Sequence, residues 1–106
     1  MAWILLISAG LLETGFAISL DRSAGFTRPV PTVLFAVCAI ASFALLNLAL
    51  RDLPVGTAYA VWTGIGAAGT AIVGILALGE PAGAVRIAAI ALIVMGAVGL
   101  QAVEGH

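Results

Sequence analysis

Residues 29–50 read PVPTVLFAVCAIASFALLNLAL and contain no charged side chain. A transmembrane α-helix needs about 20 consecutive, mainly apolar residues, so this run is long enough to cross a bilayer. Residues 53–79 and 87–103 are also free of charge, and residues 1–20 contain a single charged side chain, that of Glu13. Backbone groups must be paired within hydrocarbon, and none of these runs alternates in polarity like a barrel strand, so each is predicted to be helical.

The four segments predict an all-α integral membrane protein with one four-helix domain over residues 1–106. The predicted spans cover about residues 2–20, 30–50, 55–78 and 84–103. Because residues 1–3 include no basic side chain, we expect the first segment to be retained as a helix and not cleaved as a signal peptide.

The composition excludes several classes of protein. The chain is 63% hydrophobic and 8% charged, with a mean hydropathy of +1.26, whereas soluble domains carry about 25% charged residues. The chain has no lysine and no basic run, so we expect no nucleic-acid partner. The predicted loops are too short for a catalytic insertion, and no metal, nucleophile or phosphate motif is present. We therefore expect a protein that is not an enzyme, binds no metal and acts within the lipid bilayer.

Glu13 is the strongest candidate for a functional residue. A charged side chain at the centre of a membrane helix costs about 2.5–3.5 kcal/mol on insertion scales, and such residues usually mark an ion or substrate path. The alternative is a protonated carboxyl that only supports packing. A carboxylate can bind either a proton or an organic cation, and the two compete for its charge. Competition at one site is sufficient for exchange of a proton for a cation.

The residues one turn from Glu13 leave space beside it. Gly10 and Ala17 are small, and Phe16 offers an aromatic wall. We predict that these three residues line the pocket together with Gly66 of the third span.

Aromatic and hydroxyl side chains of other spans are the predicted partners of Glu13. One face of the third helix carries Tyr59, Trp62, Gly66 and Thr70. The two aromatic rings on this face can flank a cation. Anchoring at the membrane surface is the alternative role for the two aromatic residues. Ser42 lies in the middle of the second span and is expected to donate a hydrogen bond to Glu13.

Glycines in the last two spans predict close packing and bending. Residues 64–69 read GIGAAG and match a dinucleotide-binding pattern, but that pattern needs a preceding strand and is rejected inside an apolar helix. We predict a hinge at Gly64 and Gly66. Small residues allow helices to approach closely in lipid, so Ala89 and Gly96 predict a dimer interface on the fourth helix, with packing inside one chain as the alternative.

The arginines give a small topological bias. Arg22, Arg28 and Arg86 lie on one predicted side of the membrane and Arg51 on the other. The positive-inside rule favours a cytoplasmic location for the first and third loops. The bias is small enough to leave both a fixed and a dual topology open.

Two motifs resemble the small multidrug resistance transporters. They are GFTR at residues 25–28 and LPVGTAYAVWTGIG at residues 53–66, and the resemblance covers essentially the whole chain. It implies a multi-pass protein of the inner (plasma) membrane that exports small organic cations, is coupled to protons and needs no cofactor. It also implies an antiparallel homodimer that brings two Glu13 side chains to one site. The family's site residues carry over as Glu13, Ser42, Tyr59 and Trp62.

The sequence is most similar to the guanidinium-exporter branch of that family. The similarity rests on residues 79–81 (GEP), on Arg86-Ile87 and on Ala17-Ile18. Two departures are Phe16 and Gln101, where the branch usually has tryptophan and often has lysine. Guanidinium and guanidinyl compounds are therefore the predicted substrates, with quaternary ammonium and other multidrug cations as the alternative.

Three further alternatives stay open at this stage. Some members of the family work as heteromeric pairs. A proton-carrying rotor-ring subunit is also small and glycine-rich with one carboxyl in the membrane, and a non-transporting membrane assembly factor would need no substrate site.

Overall fold

A computed structural model describes residues 1–104 as four helices joined by short loops; residues 105 and 106 of the predicted domain lie outside this part. The helices are α1 (Ala2–Arg22), α2 (Pro29–Ala49), α3 (Val55–Ala77) and α4 (Ala84–Glu104). Each contains a window with a mean hydropathy of 1.7 to 2.2 and is long enough to cross a membrane. The predicted all-α integral membrane fold is confirmed.

The ends of the helices follow from local sequence. Pro29 is the first residue of α2 and Pro54 is the N-cap of α3, positions that tolerate the missing N–H of proline. α1 extends two residues beyond its predicted span and includes Asp21. The buried Ser23 then ends α1, because its Oγ donates to Leu20 O (2.8 Å) and accepts from the N–H of Phe26 (3.1 Å).

α1 lies at the centre of the packing. It contacts both α2 and α3, while α4 contacts only α3 among the described helices. The described chain measures 44 × 34 × 17 Å, and a helix with side chains is about 10–12 Å in diameter. The four helices therefore form a flattened bundle, and large parts of their surfaces lie open to lipid or to another chain.

The buried core is small and lies between α1, α2 and α3. Its members are Leu6, Ala9, Ala49, Ala58, Val61 and Trp62. Large apolar side chains are exposed on all four helices, and Ile90 is the single buried residue of α4. Such a surface is expected where lipid replaces water as the solvent.

Candidate functional site

The carboxyl group of Glu13 packs directly against the backbone of α3 at Gly66. A Cβ atom built on Gly66 would lie 2.7 Å from Glu13 Cγ and would overlap the carboxyl carbon and Oε1. Carbon atoms in contact are normally about 3.5–4.0 Å apart. Glycine at this position is therefore what allows the carboxyl to lie against α3.

Neighbouring glycines extend this close contact between α1 and α3. Gly69 leaves room for the side chain of Thr14, and Gly10 leaves room for Ile65. Thr14 Oγ1 donates to Gly66 O at 3.2 Å. The helices thus approach each other most closely on both sides of Glu13, and Gly10 acts in this packing and does not line the cavity described below.

Gly64 faces a different neighbour. A Cβ there would lie 3.6 Å from Ile93 Cγ2 and 3.7 Å from Ala97 Cβ of α4, which is ordinary van der Waals contact. α3 is a continuous α-helix through Gly64 and Gly66. The hinge at these two glycines stays a prediction.

A groove between α1 and α3 begins at Glu13. It encloses about 500 Å³, within the range of about 300–1,000 Å³ that is typical of ligand sites. Glu13, Phe16 and Ala17 line it from α1. Gly66 lines it from α3, as do four further residues, Thr63, Ala67, Thr70 and Ala71. The groove continues to the end of the two helices, where Asp21, Leu78 and Glu80 belong to its lining.

One oxygen of the Glu13 carboxyl has no hydrogen-bond partner in residues 1–104. This atom, Oε1, is buried, and an unsatisfied buried polar atom costs about 1–3 kcal/mol. A ligand that donates a hydrogen bond removes this penalty. The site is therefore suited to a proton or to a cation that carries N–H groups.

Ser42 and Trp62 form a hydrogen-bond chain that ends on the backbone of α1. Trp62 Nε1 donates to Ser42 Oγ at 3.0 Å, and Ser42 Oγ donates to Ala9 O at 2.6 Å. In an α-helix the same carbonyl accepts the N–H of Glu13, four residues later. The expected hydrogen bond from Ser42 to the Glu13 carboxyl is therefore not formed. The one hydroxyl proton of Ser42 goes to the carbonyl of Ala9, and the carboxyl faces α3 instead.

Six aromatic side chains form an unbroken series along α2 and its neighbours. Successive ring centroids are 5.5 to 6.0 Å apart, within the usual range for interacting rings. The order is Tyr59, Trp62, Phe43, Phe16, Phe35 and Phe26. Tyr59 is exposed and Trp62 is buried. Phe16 also lines the groove, so the aromatic series and the groove meet at this residue.

Several residues of the site were missed by sequence reasoning. Thr63 lies three residues before Gly66 and therefore shares its face of α3, a signal that the sequence does contain; Thr70, already placed on that face from the sequence, does line the groove. Phe35 and Phe43 are eight residues apart, a spacing that places them on one face of α2. This spacing can also be seen in the sequence. Thr14 carries none, because its role depends on the proximity of Gly69.

The predicted dimer interface lies on the exposed helix α4. Ala89 is exposed, and a Cβ added to Gly96 would meet no atom within 4 Å in the described chain. The two residues are thus available to another chain, and the interface stays a prediction.

A carboxyl in the middle of a membrane-spanning helix, beside a groove that two threonines help to line, is typical of membrane proteins that hold cations or protons on a transport path. The family model described as "Small Multidrug Resistance protein" matches residues 1–93. The chain belongs to the small multidrug resistance family, and the family predicted from the sequence is confirmed.

Three similar proteins carry the name "Guanidinium exporter". They come from Escherichia coli (strain K12), Citrobacter freundii and Salmonella typhimurium. Each is 54% identical to this chain over 101 residues, which is 95% of this chain and 96% of the relative. The similarity therefore extends across all four helices.

Proposed function

We propose that this chain exports guanidinium and related guanidinyl cations in exchange for protons, and that Glu13 binds both. The observation that carries the proposal is the buried, unpaired Oε1 of Glu13 beside the groove. The name shared by relatives that are 54% identical supports guanidinium as the cation. In this proposal the chain is a transporter and not an enzyme, and it requires protons but no cofactor.

The chemistry of the two ligands explains the exchange. A guanidinium ion is planar and presents pairs of N–H groups that match the two oxygens of a carboxylate. Protonation removes the negative charge of Glu13 and occupies one of those oxygens. A protonated Glu13 therefore releases the cation, and a bound cation excludes the proton.

An antiparallel homodimer in the inner (plasma) membrane is the proposed assembly. One chain is a flattened bundle with many exposed large apolar side chains, so a single copy leaves its helix faces open. The exposed face of α4 around Ala89 and Gly96 supports α4 as the contact between copies. Native mass spectrometry tests this proposal, because two copies are expected, a rotor ring would contain many, and a heteromeric partner would have a different mass.

Proton flux in liposomes is the direct test of transport. Purified protein is reconstituted with a pH-sensitive dye inside the vesicles, and an outward or inward guanidinium gradient is applied. We expect proton movement against the guanidinium gradient for the wild type and none for Glu13→Gln. Asp52→Asn is the matched control, because Asp52 is an exposed carboxylate outside the groove. Full transport by Glu13→Gln, or no flux with the wild type, would refute the proposal.

Quaternary ammonium export is the second candidate, and the aromatic series favours it. Phe16 lines the groove through a ring without an N–H donor and lies against Phe35 and Phe43. Aromatic rings attract cations that cannot donate hydrogen bonds. Competition between guanidinium and tetraphenylphosphonium, followed by tryptophan fluorescence, separates the two substrates. All measurements of Trp62 fluorescence use a Trp3→Phe background, in which Trp62 is the one tryptophan. Stronger displacement by tetraphenylphosphonium would favour the second candidate.

A further inference from the structure

We propose that Glu80 is a second cation-binding carboxylate on the path to Glu13, and that the guanidinium group of Arg86 occupies it while no substrate is present. The inference rests on the proposed export of guanidinyl cations. It assigns a role to Glu80, a residue of the third loop that lies outside the motif at residues 53–66.

The backbone after α3 turns Glu80 back onto the end of the helix. Gly79 has a φ of +72°, a left-handed conformation that glycine adopts readily. The N–H of Glu80 then donates to Gly74 O at 3.0 Å. Gly74 has no side chain, and the carboxyl of Glu80 lies in the space that a Cβ would fill. Glu80 is therefore held at the end of the groove by two glycines.

The same groove connects Glu80 with Glu13. Both residues belong to the lining of one cavity of about 500 Å³, which runs between α1 and α3. Thr70 and Ala71 lie between them on α3, and Asp21 faces this end of the cavity from α1. A cation that enters the cavity at the end formed by Asp21 and Glu80 passes the carboxylate of Glu80 before it reaches Glu13.

Arg86 shows which chemical group Glu80 accepts. Its Nη1 lies 3.5 Å from Glu80 Oε1, and both side chains are about half exposed. Exposed ion pairs of this kind are weak, so a competing cation can displace Arg86. The substrate of the proposed transporter carries the same guanidinium group as the arginine side chain. A guanidinium ion can therefore replace the side chain of Arg86 on Glu80, because both present the same cationic group to the carboxylate.

Attraction of the substrate cation by the Glu80 carboxylate raises the rate at which the cation reaches the site, and salt screens this attraction. For Glu80→Gln we expect kcat/KM for guanidinium to fall about tenfold at low ionic strength, with a much smaller difference at high salt. Equilibrium binding at Glu13, measured by Trp62 fluorescence, should stay within about twofold of the wild type. Arg86→Gln should raise kcat/KM at low salt, because it frees Glu80 for the substrate.

Asp52→Asn is the control, since it removes one exposed carboxylate outside the groove. Equal kcat/KM and equal salt dependence for Glu80→Gln and Asp52→Asn would overturn the inference. Loss of equilibrium binding in Glu80→Gln would also overturn it, because it would assign Glu80 a structural role. Failure of the proposed function is a separate result, namely guanidinium-driven flux that persists in Glu13→Gln.

Discussion

Replacement of Gly66 by alanine tests whether the contact between Glu13 and α3 is required for binding. The added methyl group would lie 2.7 Å from Glu13 Cγ and would overlap the carboxyl, where about 3.5–4.0 Å is normal. The side chain of Glu13 must therefore move by about 1 Å, or α1 and α3 must separate by a similar amount. Either movement takes Oε1 from its present place beside the groove.

The size of the effect follows from the cost of inserting a methyl group into a tight contact. Overpacking of this kind typically costs about 1–3 kcal/mol. If that cost falls on the bound state, the dissociation constant for guanidinium rises about 5- to 150-fold. The helical backbone itself gains stability from the change, since alanine is favoured over glycine in a helix by about 1 kcal/mol. A loss of binding is therefore not a result of a weaker α3.

Gly64→Ala is the matched control in the same helix. A Cβ at Gly64 makes ordinary contacts of 3.6 and 3.7 Å with α4. Substitutions that create no overlap usually change free energies by about 0.5 kcal/mol. The dissociation constant for guanidinium should therefore stay within about threefold of the wild-type value. The pair also tests the predicted hinge. If bending at the two glycines limits transport, both variants should slow turnover. If Gly66 serves mainly to hold Glu13, only Gly66→Ala should weaken binding.

Guanidinium titration of Trp62 fluorescence in detergent measures the dissociation constants, and liposome flux measures turnover. A double variant adds a second check, because Glu13→Asp shortens the side chain by one methylene and leaves space for the methyl group. We expect Gly66→Ala to be less harmful in the Glu13→Asp background, a non-additive result that indicates direct contact. Wild-type binding by Gly66→Ala, or additive effects of the two substitutions, would refute the reasoning.

Three further predictions concern neighbouring interactions. Ser42→Ala leaves the buried Nε1 of Trp62 without its acceptor, so thermal unfolding should show a loss of about 1–3 kcal/mol; an unchanged melting temperature would contradict this. Thr14→Val keeps the shape but removes the hydrogen bond to Gly66 O, and a loss of about 0.5–1.5 kcal/mol is expected in the same assay. In the proposed exchange, proton and cation compete for Glu13. The apparent dissociation constant of guanidinium should then rise about tenfold per unit fall in pH where Glu13 is protonated, and a flat pH profile would exclude competition.

The fold was predictable because lipid imposes simple requirements on sequence. A charge-free run such as residues 29–50 has to be a membrane helix, and proline or glycine at its ends sets the limits. The prediction that Glu13 is a functional residue rests on the same requirement, since charge in hydrocarbon is costly. The partner of Glu13 could not be predicted, because packing decides which helix its carboxyl faces. Ser42 could equally bond to a carboxyl or to a backbone carbonyl, and only the close approach of Gly66 decided between them.

The tight contact at Gly66 also distinguishes the two proposed ligands of Glu13. A proton adds almost no volume, so the carboxyl can be protonated while it stays packed against α3. A guanidinium ion has four heavy atoms and cannot enter a contact in which even one methyl group overlaps. It must therefore bind the carboxyl from the side of the groove, where its volume has to be accommodated between α1 and α3. The two ligands therefore favour different packings of the same helices, and such a difference in binding free energy is what a ligand needs to shift a conformational equilibrium. In the proposed exchange, replacement of the proton by the cation at Glu13 would therefore be linked to movement of α1 against α3.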